Sequence, residues 1–203
     1  MIRSLGQRFA RLVTNLVVRW PSTWRLFRGL MRTQFDKLAP VWDSGRTPDA
    51  FGALEDALAS VDGEVHTALD VGTGTGEAAL AVLRRWPKVR VLGVDLSGPM
   101  IAEARRKAPS GADVEFRVGD AANVDMPERS FDLITAANMI PFFDELARLL
   151  VPGGHLVVSF SVGAATPIYV APSRLREELA RRGFADFAEF SKGRSTAFVA
   201  RKR

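Results

Sequence analysis

A short apolar run, Thr67–Val71, leads straight into Gly72-Thr73-Gly74-Thr75-Gly76 and then into the helical period of Glu77–Trp86. Alternating glycines let a backbone turn sharply out of a strand and come close to a ligand. The strand–turn–helix pattern then continues. Val89–Val94 reads as a strand, and Pro99–Lys107 as a helix opening on proline, the favoured first helical residue. Val114–Val118 and Phe131–Ala136 read as strands, Phe142–Leu150 as a helix stopped by Pro152-Gly153-Gly154, and Leu156–Phe160 as another strand. A capped helix over Ser173–Arg182 ends at Gly183, and Ala185–Phe190 pairs with Thr196–Ala200 around Lys192-Gly193. Strands alternating with helices of about ten residues give an α/β fold, a mostly parallel sheet covered on both faces.

The chain falls into three regions: 1–35, a connecting stretch 36–65, and a body over 66–203. Residues 1–35 hold seven arginines and no acidic residue, which leaves 21 basic against 23 acidic residues in the rest. The net charge of +5 therefore belongs to the ends of the chain, and a nucleic-acid groove across the body is not expected. Leu5, Phe9, Leu12, Val13, Leu16, Val17 and Trp20 mark one face of a helix, with Gln7, Arg8, Arg11, Asn15 and Arg19 on the other. Pro21 stops it, and Ser22 or Thr23 can cap a second short helix bearing Trp24, Phe27, Met31 and Phe35. Two roles suit this pair. Its stripes can pack on the body as a cap over a substrate pocket, or lie in the surface of an anionic membrane with the arginines at the headgroups. The arginine-rich, acid-free composition also suits an organellar transit segment. No run reaches the roughly 20 apolar residues of a spanning helix, and no small-residue cleavage pattern follows Leu12–Val18. A cytoplasmic protein, with or without peripheral membrane attachment, is the expectation.

The chain has no cysteine, which removes disulfides, thiolate metal sites and cysteine nucleophiles. Its two histidines, His66 and His155, do not suggest a metal centre.

Three strand ends carry the chemistry. At the first, Asp70 precedes Gly72, Thr73, Gly74 and Gly76, where backbone amides and a carboxylate suit a ligand bearing both a carboxylate and an ammonium group. The spacing is G-x-G-x-G, so Glu77 stands where a dinucleotide fingerprint wants glycine, and its charge would repel a pyrophosphate. At the second, Asp95 can accept both hydroxyls of a free ribose. At the third, Asp120 can accept an exocyclic adenine amine, and Ala121 offers a backbone donor to the ring. Ligands of open parallel sheets sit at these carboxyl ends.

The ordered set Asp70–Gly76, Gly93-Val94-Asp95, Gly119-Asp120-Ala121, Phe131-Asp132-Leu133-Ile134 and Leu149–Leu156 resembles the motifs of class I S-adenosylmethionine-dependent methyltransferases of the small-molecule type. Phe35–Asp43 is similar to their lead-in segment, with Trp42 where the family carries tyrosine. The resemblance implies a Rossmann-like three-layer sandwich with a seven-stranded sheet, order 3-2-1-4-5-7-6, strand 7 antiparallel, here with an N-terminal helical extension. It implies S-adenosyl-L-methionine as cofactor. Asp70 and the glycines would then hold the methionine portion, Asp95 the ribose, Asp120 and Ala121 the adenine. Leu96 and Met100 would flank the ring, and Asn138 would lie beside the reactive methyl.

No residue declares itself as a general base; Asp43 and Tyr169 are the available candidates beside the two histidines. Lack of cysteine excludes cytosine-C5 chemistry through a thiolate adduct. Asn138-Met139-Ile140-Pro141 lacks the Asn/Asp-Pro-Pro-aromatic signature of amino-group methylation, and Asn138 replaces the aspartate of metal-dependent catechol-type sites. Ser161–Pro172 is too short for a lid, so residues 1–65, rich in Trp, Phe and Leu, are expected to cover a small apolar or amphiphilic acceptor. The rival readings are an NAD(P)-type oxidoreductase, a transferase of a modified adenosylmethionine, and a non-catalytic membrane-associated protein that keeps the cofactor pocket.

Overall fold

The computed structural model describes residues 2–47 and 49–203, with backbone alone for residues 2–6. Seven strands form one sheet in the order β3-β2-β1-β4-β5-β7-β6. They are β1 (Thr67–Val71), β2 (Arg90–Asp95), β3 (Val114–Val118), β4 (Phe131–Ala137), β5 (Leu150–Phe160), β6 (Phe184–Lys192) and β7 (Ser195–Lys202). The first five run parallel, and β7 lies antiparallel between β5 and β6. β1 is buried along nearly its whole length, as a strand covered on both faces must be.

Helices cover both faces. On one side α3 (Gly52–Ala59), α4 (Glu77–Arg85) and α5 (Gly98–Lys107) bury Leu54, Leu58, Val82 and Ile101 against the sheet. On the other, α1 (Ile2–Arg19), α2 (Trp24–Leu38), α6 (Phe143–Leu149) and α7 (Pro172–Ala180) bury Val13, Val17, Trp24, Leu146 and Leu175. The N-terminal helices thus belong to the main core. The Arg11 guanidinium ties α1 down by donating to the carbonyls of Ala164 and Thr166 at 2.8 and 2.9 Å.

The buried face of α1 differs from the expected stripe. It runs through Ala10, Val13, Thr14 and Val17, while Leu12 and Trp20 face solvent; the side chain of Leu5 lies outside the described residues. Thr14 can turn inward because its hydroxyl donates to the Ala10 carbonyl at 2.8 Å within the helix.

Three expected boundaries move. α2 is a full 15 residues, entered through a tight turn at Pro21–Thr23 without a side-chain cap; the Thr23 hydroxyl donates instead to Trp20 O at 2.7 Å. α7 opens on Pro172 with Ala171 extended before it, so proline and not Ser173 starts the helix. β5 begins at Leu150 rather than Leu156. Phe131 pairs with Leu150 and Leu133 with His155, so residues 151–154 bulge opposite Asp132 while the strand goes on. Gly154 has to be glycine there, since a Cβ would sit 2.9 Å from Asp132 O.

Candidate active site

The site lies at the carboxyl ends of β1, β2 and β4, roofed by α2 and the segment that follows it. The space there measures about 880 Å³ counted to its open mouth. Its floor is Gly72, Thr73, Gly74, Asp95 and Asn138. Its walls are apolar, with Trp24, Met31, Phe35 and Trp42 from the N-terminal region facing Met139, Ile140, Phe142 and Ile168.

The glycine loop owes its shape to three left-handed residues, Gly72, Gly74 and Gly76, with φ of 63°, 53° and 89°. A Cβ on Gly72 would come within 2.9 Å of Met139 Cβ, on the cavity side. Thr73 N–H donates to Val94 O at 3.0 Å, pinning the loop to β2. Asp95 closes it from the next strand. One of its oxygens accepts Gly74 N–H at 2.9 Å, and the other accepts Ser97 N–H at 2.8 Å. A carboxylate has about four lone-pair sites, so each Asp95 oxygen keeps one for a ligand. Burial pushes the Asp95 carboxyl up, against the two amide bonds that pull it down.

Asp70 is placed differently from its neighbours in the motif. It is wholly buried beneath the loop and outside the cavity wall. Thr73 and Thr135 hydroxyls donate to it at 2.6 and 2.8 Å, and Ala79 N–H at 3.1 Å. It therefore locks loop, α4 and β4 together. Burial raises its pKa to about 6, against those three hydrogen bonds and with the nearby Asp95 adding to the rise.

Leu96, Met100 and Ala121 line the cavity beside Asp95. Asp120 lies behind Trp24, in a neighbouring cleft. Its Oδ1 accepts the Trp24 indole N–H and Ala122 N–H, both at 2.9 Å, and Oδ2 stands 3.6 Å from the Arg28 guanidinium. Asn138, at the end of β4, adopts φ 51° in the left-handed region, a conformation that asparagine tolerates. Its Oδ1 accepts Ser161 N–H and Oγ–H at 2.8 and 3.0 Å, which leaves the amide nitrogen as the free donor. Of the residues singled out in the sequence, Gly72, Thr73, Gly74, Asp95, Leu96, Met100, Ala121 and Asn138 meet at one cavity. Asp70, Gly76 and Asp120 support it from behind.

Sequence reasoning missed an ionic cluster at the cavity rim. Arg46 contacts Asp43 at 2.7 Å, Thr75 Oγ1 at 3.0 Å and Glu77 at 3.3 Å, and Lys107 joins Asp43 and Glu77. Burial pushes Asp43 up, but hydrogen bonds from Lys107 and Thr75 and the charge of Arg46 outweigh it and hold the carboxyl below its usual value. Two cations balance two carboxylates. The repulsion assigned to Glu77 is thereby cancelled, and what separates this fold from dinucleotide enzymes is the antiparallel β7, since their sheet runs 3-2-1-4-5-6. The cluster escaped notice because its members are scattered from residue 43 to 107.

Of the base candidates, Asp43 sits at this rim, engaged by Arg46, Lys107 and Thr75, and the other three lie elsewhere. His66 precedes β1 and His155 pairs with Leu133 near the opposite end of the sheet. Burial, then the charge of Arg201, holds His155 below the usual histidine value. Tyr169 packs edge-on against Phe160 outside the cavity.

Residues 68–154 match the family model described as "Methyltransferase domain". A demethylmenaquinone methyltransferase of Thermus thermophilus is 39% identical over 137 residues, 61% of this chain and 62% of that protein. One from Chlamydia trachomatis is 30% identical over 152 residues, 69% of this chain and 66% of the other. The chain thus matches a little under two thirds of these relatives' lengths. Among solved structures, a SAM-dependent methyltransferase from Aquifex aeolicus superposes with a TM-score of 0.63 at 19% identity, covering 84% of this chain and 97% of that one. The cyclase SpnF superposes with a TM-score of 0.67 at 22% identity, covering 85% and 94%. At such identities these two structures speak for the fold alone. Sheet order and glycine loop give this chain the class I, Rossmann-like fold of S-adenosylmethionine-dependent methyltransferases, and residues 68–154 match the methyltransferase domain at its centre.

Proposed function

We propose that the protein transfers a methyl group from S-adenosylmethionine to an apolar aromatic acceptor of the quinol class. The observation that carries this reading is one cavity in which a ribose-type acceptor, Asp95, and a glycine-loop floor meet a wall of Trp24, Met31, Phe35, Trp42 and Phe142. The names of the two relatives above support a quinone-like ring as the acceptor.

The residues fit such a cofactor. Asp95 retains lone pairs for two hydroxyls, the Gly72 and Gly74 backbone leaves room that a Cβ at Gly72 would fill, and Leu96, Met100 and Ala121 offer apolar contact to a planar ring. When bound, the cofactor supplies an electrophilic methyl on a sulfonium. The protein's part is to hold the acceptor in line with it, and fixed near-attack geometry is worth about 7–11 kcal/mol of a barrier. Asn138 can donate its free amide N–H to a polar group of the acceptor or cofactor at the end of β4. Among the described residues, no carboxylate lining the cavity stands unengaged. Glu77 is held by Lys107 and Arg46, and Asp95 by two backbone amides. The acceptor's proton therefore leaves to solvent.

Calorimetry with S-adenosylmethionine and NADH, followed by methyl-transfer assays on quinols and on hydrophilic phenols, tests the reading. Binding of the former cofactor and transfer to quinols are expected. Binding of NADH instead, or cofactor binding without transfer to any aromatic acceptor, would sink it.

A further inference from the structure

We infer that the outer face of α1 and α2 is a docking surface for an anionic lipid bilayer. Six large apolar side chains stand out as exposed among the described residues, and four lie here: Leu12 (56%), Trp20 (51%), Leu26 (79%) and Leu30 (55%). At 100° per residue their placement is ordered. Around α1 the apolar surface turns from buried Val13 through Phe9 and Leu16 to Leu12. Around α2 it turns from buried Trp24 through Phe27 to Leu30 and Leu26. The rings of Phe9 and Phe27 meet edge to face at 6.2 Å, so both exposed rows flank the seam that joins the helices.

The charge on this face selects the occupant. Arg11 is engaged by two backbone carbonyls, Arg28 by Asp120 and Arg32 by Asp36. Arg8, Arg19 and Arg25 are exposed and have no acidic partner among the described residues, and Arg19 lies 5.0 Å over the Trp20 ring. No Asp or Glu occurs before Asp36. A second copy of the chain, docked by a two-fold axis through this face, would set arginine against arginine. A bilayer meets the pattern instead: leucines at the acyl boundary, Trp20 at headgroup depth, and arginines on phosphates.

The same helix faces the cavity. Trp24, Met31 and Phe35 line it from α2, while Leu26 and Leu30 project from the other side of that helix. Docking would set α2 between lipid and site, with a membrane-dissolved acceptor arriving at its edge. Delivery rests on the proposed function; the docking does not.

The test is sedimentation of the full chain with phosphatidylcholine vesicles, with and without phosphatidylglycerol, at low and high salt. Binding is expected to the anionic vesicles and to weaken with salt. Leu26→Ser with Leu30→Ser should lower partitioning by about tenfold or more. Arg8→Gln, Arg19→Gln and Arg25→Gln should each lower it by about fivefold. Both variant sets should keep wild-type melting and calorimetric cofactor affinity. Absence of vesicle binding, equal binding to neutral vesicles, or wild-type binding by the leucine variant overturns the inference. So does a dimer that the leucine variant dissociates. A protein that docks but binds no S-adenosylmethionine refutes the proposed function and leaves the docking standing.

Discussion

The indole N–H of Trp24 donates to Oδ1 of Asp120 at 2.9 Å, joining an N-terminal helix to the end of the third strand. The same ring forms a wall of the cavity and meets Phe142 edge to face at 5.3 Å. Trp24→Phe keeps the wall and loses the donor, and should cost about 1–2 kcal/mol in chemical denaturation. Trp24→Ala removes both and should cost about 3 kcal/mol or more. Equal losses from the two would show that the hydrogen bond dominates and the packing is slack.

On the proposed reading, in which Asp95 accepts two ribose hydroxyls, Asp95→Ala should weaken S-adenosylmethionine binding by roughly 2–4 kcal/mol. Part of that loss is indirect, since Asp95 also holds Gly74 and Ser97 N–H. Asp95→Asn, which can keep one acceptor, should fall between. Calorimetry of the three proteins checks the order.

Asp70 links stability to pH in an unusual direction. Its carboxyl is raised from 3.8 to about 6 in the fold, so the folded chain binds the proton more tightly than the unfolded one. Stability from this group is full below about pH 4 and declines by about 3 kcal/mol as pH rises through about 6. The difference in unfolding free energy between wild type and Asp70→Asn, measured across that window, should therefore shrink with rising pH and then level off. A difference that grows would reverse the assignment.

Gly72→Ala puts a Cβ 2.9 Å from Met139 Cβ at a φ of 63° and should cost about 1–3 kcal/mol, with weaker cofactor binding. Gly98→Ala, with nothing within 4 Å of the added carbon, should be neutral or stabilising. Thermal melts with and without cofactor separate the two.

Substituting His66 or His155 should leave methyl transfer within about tenfold of wild type, because both lie away from the cavity. A loss of more than about a thousandfold in a folded variant would assign one of them a proton-transfer role.

Local chemistry made most of the fold legible. Gly72, Gly74 and Gly76 mark a turn that few other residues could take, and the apolar runs of β1, β2 and β4 have the length of buried strands. Two kinds of error share one cause, which is tertiary context. The helix ahead of Pro152-Gly153-Gly154 ends as read, yet β5, read from Leu156, begins at Leu150, because pairing with β4 on both sides carries the strand through those residues. Leu12 and Trp20 fall on the apolar side of α1 by periodicity, yet the sheet chose the face with Ala10 and Thr14. In the site, single strand-end residues such as Asp95 could be read directly. The Arg46–Glu77–Lys107–Asp43 cluster could not, because only folding brings those charges together.

The place of β7 constrains the order in which this sheet can be finished. It follows β6 along the chain but lies inside it, hydrogen-bonded to β5 on one edge and β6 on the other. During synthesis β6 emerges with no strand to pair with, and β5 offers an open edge, until Ser195–Lys202 slides between them. An unfinished edge of this sort is a template for joining other chains. A nascent or proteolysed chain that ends in the Lys192-Gly193 turn would thus be the aggregating species, though it keeps every residue of the cavity.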